Sequence, residues 1–251
     1  MKRIPWIILV VIGVFAYSVS AGLLQERQAA VIKARSSGGA TPTPTPTPDP
    51  CDGYLVCEDA EGTGTPTGWT DSAAGGTVNW DYTTTILEGS QSLYVDEDTA
   101  DVFTISPSVS GLVSGYALIR FPSWGNITDQ FLLSLTDSGA VSRCAARIDI
   151  SGTAAVLEAR LNATNGTATV GTLATGTTYH LWVDYNDAAD TCTVAFSTDG
   201  TKPSSGDNVS VATYVSTYAL TYLRLPSQHT NISYIADHIR GDDAAIGSNP
   251  D

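Results

Sequence analysis

Three runs of alternating residues hold the polar side chains best suited to bind a ligand. In Arg143 to Ile150, Arg143, Arg147 and Asp149 fall on one alternate set and Cys144, Ala146, Ile148 and Ile150 on the other. In Ala154 to Leu161, Glu158 and Arg160 flank apolar neighbours in the same way. In Thr178 to Asn186, His180, Trp182 and Asp184 alternate with Tyr179, Leu181, Val183 and Tyr185. Period two marks a strand with two different faces. With the apolar sets inside, a Trp lies outside among Arg, Asp and Glu. That mixture suits a polyhydroxylated ligand, with an aromatic plane for C–H groups and polar forks for hydroxyls. Trp124, in Pro-Ser-Trp-Gly-Asn, extends the surface. The expected binding residues are therefore His180, Trp182, Asp184, Arg143, Arg147 and Trp124. The plainer alternative is a loop covering Trp182 and charges paired among themselves on a solvated face.

The elements that position these residues are strands. The clearest hairpin runs from Thr178 to Gly200, with Asn186 to Asp190 as its turn, because Asn and Asp hydrogen-bond their own backbone. Beyond Cys51 the pattern repeats as strand, turn, strand. Runs are predicted at Tyr54–Asp59, Thr77–Tyr82, Ser92–Val95, Val102–Ser106, Gly115–Phe121, Gln130–Leu135, Arg143–Ile150, Ala154–Leu161, Thr178–Tyr185, Thr191–Ser197, Ala219–Leu225 and Ser233–Arg240. No segment there sustains a helical period, and no internal repeat is found. Many short strands with regular turns predict an all-β, two-sheet antiparallel jelly-roll sandwich.

The four cysteines fit an oxidising compartment. Cys51 and Cys57 are expected to close a short loop at the domain's entrance. Cys144 shares a face with Ile148, and Cys192 with Val194 and Phe196. Both faces read as core, so these thiols can pair inside the sandwich, with two separate buried thiols as the alternative.

The sandwich is preceded by an N-terminal apolar helix and a Pro/Thr linker. Lys2 and Arg3 precede an uncharged run from Ile4 to Leu24, about 31 Å long as a helix, close to a bilayer core. One reading is a signal peptide cut near Val19-Ser20-Ala21. The other is a signal anchor, with the basic end in the cytoplasm and the rest outside. A pilin-type leader is excluded, because its processing site and Glu are missing. Thr41 to Pro48 alternates Thr and Pro and Asp49-Pro50 follows, which favours an extended polyproline II stalk. The organisation is then 1–35 signal anchor or signal peptide with a juxtamembrane helix, 36–50 linker, and 51–251 domain. This places the domain outside the cytoplasm, membrane-anchored or secreted.

Net charge is −14 and only 15% of residues are charged. Five of the twelve Lys and Arg precede residue 40, so the domain itself is more acidic still. Such a domain repels phosphate backbones, which argues against nucleic acid as a partner. No G-x-S-x-G elbow, H-E-x-x-H, C-x-x-C or phosphate loop occurs. His180, His229 and His238 are scattered, which argues against a histidine-rich metal site.

Four stretches resemble the concanavalin A-like lectin/glucanase superfamily, in its laminin-G-like jelly-roll branch: Cys57 to Thr70, Leu87 to Val95, Thr178 to Asn186 and Tyr234 to Arg240. The resemblance spans about residues 53–243 and implies a non-helical sandwich hosting sugar binding, adhesion, surface packing or polysaccharide cleavage. Glucanases of this fold carry paired acids on one strand. The nearest match, Asp96, Asp98 and Asp101, has Glu97, Thr99 and Ala100 between its acids; it reads as a solvated turn, and no catalytic residue is assigned. The resemblance also implies one structural calcium ion where the first and last strands meet, held by Glu58 or Glu61, the Gly89 carbonyl and Asp237. Asp184, Asp187 and Asp190 lack the Gly and terminal Glu of an EF-hand loop and read as turn chemistry.

Five N-x-S/T sequons are candidate glycosylation sites, at Asn126, Asn162, Asn165, Asn208 and Asn231. The functional expectation is an extracytoplasmic carbohydrate-binding or adhesion module tethered to a cell surface, with a glycan or surface protein as ligand. The alternative is a structural surface subunit of a virion, filament or envelope layer that uses the jelly roll for packing.

Overall fold

The computed structural model describes residues 51–248, except 74–75, 98–101, 163–166, 215–217 and 226–231. The expected membrane segment and Thr-Pro stalk lie outside the described residues. Among the described residues no helix is long and apolar enough to cross a membrane.

Fifteen strands follow in order: β1 Val56–Glu58, β2 Thr70–Ala73, β3 Gly76–Tyr82, β4 Ser92–Glu97, β5 Val102–Ile105, β6 Ser114–Trp124, β7 Ile127–Asp137, β8 Ser142–Ser151, β9 Ala154–Leu161, β10 Thr167–Leu173, β11 Thr178–Asn186, β12 Thr191–Ser197, β13 Val209–Thr213, β14 Leu220–Leu225 and β15 Ile232–Asp242. All pairings are antiparallel. One sheet runs β13-β12-β11-β6-β15-β4-β3, with β1 added beside β15; the other runs β10-β9-β8-β7-β14-β5-β2. We call them the terminal sheet, since it holds the first and last strands, and the central sheet.

The alternation predicted for β8, β9, β11 and β12 is present. Cys144, Ala146, Ile148 and Leu157 of the central sheet join Leu181, Val183, Val194 and Phe196 of the terminal sheet in one buried cluster. Two disulfides close, Cys51–Cys57 and Cys144–Cys192. The second links β8 to β12 and so ties one sheet to the other through the core. The hairpin turn holds a short 3₁₀ segment, Asp187–Ala189, capped by the Asn186 side chain accepting from the Ala189 N–H.

All twelve predicted runs are strands, with ends shifted by a few residues. The strands not foreseen are β2, β10 and β13, each at a sheet edge. Edge strands pair on one side only and need no strong apolar alternation. Asp96 belongs to β4 rather than to a turn, and accepts a hydrogen bond from Ser233 at 2.9 Å; Asp98 and Asp101 lie outside the described residues.

The last strand shows why simple alternation fails locally. The β15–β6 register shifts between Asp237 and Arg240, and His238 has φ of +46°. The bulge lets both Ala236 and Ile239 reach the core. Arg240 is fully buried. It pairs with Asp59 at 2.5 Å, donates to the Glu58 carbonyl at 3.2 Å and lies over the Tyr54 ring.

Candidate functional site on the central sheet

The expected binding residues separate onto the two sheets. His180, Trp182 and Asp184 belong to β11 in the terminal sheet, while Arg143 and Arg147 belong to β8 in the central sheet. Alternation indicates which residues point away from the core. It carries no information on which sheet they belong to, and the connection of β8 to β11 crosses between sheets.

Trp182 corrects the expectation of a solvent-facing aromatic: it is fully buried. Residues 243–248 cross it. Its indole donates to the Gly247 carbonyl at 3.0 Å, and Ile246 packs with Tyr116, Trp182 and Ala195 in a second buried cluster. Lys202 fixes this strap by donating to the Ile246 carbonyl at 2.7 Å and pairing with Asp184 at 2.6 Å. Asp184 also accepts from Ser114. His180 hydrogen-bonds the Tyr116 hydroxyl at 2.8 Å and stacks on Trp182. Trp124 ends β6 half-buried, its ring against Phe121. These four side chains are occupied in packing.

The outer face of the central sheet is different. One cross-strand row reads Arg160 on β9, Ala145 on β8, Ser134 on β7, Arg224 on β14 and Ile105 on β5. The neighbouring row reads Glu158, Arg147 and Phe131. Ala145 and Ser134 are thus two small side chains between Arg160 and Arg224, which stand three strand spacings apart, about 14 Å; both are buried. Along β8, Arg143 and Arg147 lie two residues to either side of Ala145. Seven of the twelve basic residues lie beyond residue 50, and four of those seven surround this pair.

Carboxylates hold the arginines in place. Arg147 uses its whole guanidinium: Nε lies 2.8 Å from Asp129, Nη2 2.6 Å from Asp149 and Nη1 3.4 Å from Glu158. Arg160 pairs with Asp129 at 2.5 Å and lies over the Phe131 ring. Arg143 makes a two-pronged contact to Asp137 through Nε and Nη2, donates to Asn162 through Nη1, and lies over the Tyr218 ring. Arg224 stacks on Phe103 at 3.9 Å. Burial pushes the Glu158 carboxyl above its ordinary value, and Arg147 only partly offsets it. Burial acts the same way on Asp149, but hydrogen bonds from Arg147 and the Asp129 N–H outweigh it, and its pKa is lowered.

Arg143, Arg147, Asp149, Glu158 and Arg160 were legible as an outward set. Phe131, Asp129, Asp137 and Arg224 were not assigned. Tyr222 and Arg224 share alternate positions, but the bulge between Leu220 and Tyr222 breaks the period of that run.

The calcium expectation falls on a corner near the last strand. The Asp237 carboxylate is buried on β15 and accepts from the Glu88 N–H, Ser92 Oγ and its neighbour's His238 N–H. Glu61 accepts from the Ser90 hydroxyl and, at 2.7 Å, from the Ser90 N–H. A Cβ at Gly89 would collide with the Glu61 carboxylate, so the turn takes Gly. Glu58 turns elsewhere, accepting from the Ala60 N–H at 3.0 Å. Burial raises Asp237 to about 7, and burial also raises Glu58. Glu61, Asp237 and the Gly89 carbonyl are hard oxygen donors of the kind Ca²⁺ takes, and Asp237 already accepts three hydrogen bonds. The three carboxylates of Glu58, Glu61 and Asp237 do not converge as one cage. Among the described residues the group that does is Cys51, Cys57 and Asp59, whose sulfurs are already joined to each other.

Of the sequons, Asn126 and Asn208 are exposed. Asn126 accepts from the Gly152 N–H at 2.6 Å. Asn162 is half-buried beside Arg143. Asn165 and Asn231 lie outside the described residues.

No protein-family model matches the sequence, and no curated protein matches it. Solved structures do. "Cellulose induced protein, Cip1" is 18% identical over 77% of this chain and 100% of that one, with a TM-score of 0.57. A sialidase is 10% identical over 75% of this chain and 18% of its own, with a TM-score of 0.53. The apo Crh5 transglycosylase is 10% identical over 75% of this chain and 83% of that one, with a TM-score of 0.50. At these identities the likeness is one of fold. It agrees with the concanavalin A-like sandwich that the sequence motifs resemble.

Proposed function

We propose that the chain is an extracytoplasmic carbohydrate-binding module whose site is the outer face of the central sheet. The observation that carries this reading is the group of four arginines on one sheet face, which carboxylates and aromatic rings hold still around the buried Ala145 and Ser134. Pre-oriented forks lose little side-chain entropy when a ligand binds. Carboxylate oxygens and guanidinium N–H groups side by side match hydroxyls, which both donate and accept. The names of two proteins sharing the fold, a sialidase and a transglycosylase, point to the same class of ligand. The two disulfides suit an oxidising compartment. The N-terminal segment is proposed to deliver the domain there, as an anchor or a cleaved signal, with the Thr-Pro stretch as spacer.

Calcium belongs to this proposal as a structural ion. Asp237, Glu61 and the Gly89 carbonyl would hold it and fasten the loop 87–92 to the last strand.

A glycan array followed by titration calorimetry tests the site. Arg224→Gln removes one wall, while the Arg147 network stays whole. It is expected to weaken binding at least about tenfold, the cost of roughly one good contact. Trp182→Phe is expected to leave binding unchanged. Binding unaffected by Arg224→Gln would remove the central sheet from consideration.

A further inference from the structure

From the way the arginines are already neutralised, we infer that the site selects uncharged glycans and rejects uronate, sialate and sulfate sugars; this rests on the carbohydrate-binding reading above. Four arginines on one sheet face would ordinarily mark an anion site, since a guanidinium fork matches a carboxylate or sulfate. Here the protein's own acids occupy three of the four forks. All three nitrogens of Arg147 face carboxylates, on Asp129, Asp149 and Glu158. All three of Arg143 face oxygens, on Asp137 and Asn162. Arg160 shares Asp129 with Arg147. Arg224 lies over the Phe103 ring and donates to the Ala140 carbonyl. Three arginines thus stand beside four carboxylates on one sheet face.

At Arg143, Arg147 and Arg160 an anionic sugar would have to displace one of these carboxylates and leave it unpaired and partly desolvated. It would also approach against the field of a chain with net charge −14, whose acidic excess lies wholly in this domain. A hydroxyl meets neither obstacle. It accepts from the edge of a guanidinium and donates to a spare carboxylate lone pair, and the ion pairs stay intact. Asp129 and Glu158 therefore have a second role beside holding Arg147. They discriminate against charged ligands by repulsion.

The test compares neutral oligosaccharides (gluco-, manno-, xylo- and galacto-configured) with uronate, sialylated and sulfated ones of matched length, by calorimetry on the disulfide-bonded domain. Neutral ligands are expected to bind at least tenfold more tightly than any acidic counterpart. Their affinity is expected to stay constant over about a tenfold range of ionic strength, because no net charge is exchanged. In the double variant Asp129→Asn, Glu158→Gln the preference is expected to fall by at least fivefold through a gain for acidic sugars. A melting curve establishes that the variant folds, and if it does not, the wild-type comparison decides alone. Acidic sugars binding the wild type as tightly as neutral ones would overturn this inference and leave the carbohydrate-binding reading standing. Failure of every glycan class to bind would overturn both.

Discussion

Trp182 is held by Tyr116, Ala195 and Ile246 around its ring and by one hydrogen bond from its indole to the strap. Truncation to Ala opens a cavity on the core side of that strap. A loss of about 3–5 kcal/mol is expected, as for other large buried aromatics, measured by urea unfolding; a change under 1 kcal/mol would mean that the strap closes over the gap. Asp137 makes a different prediction. Burial raises its carboxyl, but hydrogen bonds from Arg143 and from the Val141 and Gly139 N–H groups outweigh this and lower its pKa. A folded-state pKa below the unfolded value means that the unfolded chain binds the proton first. The stabilisation is present above the unfolded value of about 3.9 and is lost as pH falls through the folded value. Asp137→Asn is thus expected to flatten the acid side of the stability profile below about pH 4 and to lower stability at pH 7. The pair is partly exposed, so the size is expected near the surface-pair range of up to about 1 kcal/mol. Midpoints of urea unfolding at several pH values check both parts.

Among the elements, β8 and β12 come from different sheets, and Cys144–Cys192 joins them. Closing a loop of 48 residues restricts the unfolded chain by about 4 kcal/mol in the chain-entropy model. The double Ala variant is expected to lose a large part of that, read as a lower unfolding midpoint, and a non-reduced digest of the wild type should show no free thiol at either position. The loop 87–92 is fastened to β15 by Asp237 and to the chain after β1 by Glu61. If calcium binds there, an ion at a hundredfold excess over its dissociation constant adds about 2.7 kcal/mol of stability. A rise in melting temperature with Ca²⁺, reversed by chelator and abolished by Asp237→Asn, is the expected result. No response to Ca²⁺ would mean that hydrogen bonds alone secure the loop.

At the scale of the whole molecule, the Ile4 to Leu24 run and the Thr-Pro stretch are expected to hold the sandwich outside the cytoplasm. Protease added from the outside of intact membranes should release or digest the domain; digestion only from the cytoplasmic side would exclude this topology. The class of fold was legible in the sequence, because period-two alternation and turn residues are local signals spread through the whole domain. The core faces of β8, β9, β11 and β12 were legible for the same reason, and so the Cys144–Cys192 pairing became visible. The sequence left β2, β10 and β13 unread, since an edge strand of small polar residues needs no apolar stripe. Which outward residues meet depends on the order of strands in the two sheets. His180, Trp182 and Asp184 share a period with one another but lie on the terminal sheet, and Trp182 is closed off by a strap some sixty residues later in the chain. Arg224 reaches the site because β14 pairs with β7 across about ninety residues, and a bulge hides its register. Alternation is a property of neighbours along the chain, whereas a binding face is assembled by strand order, which nothing local encodes.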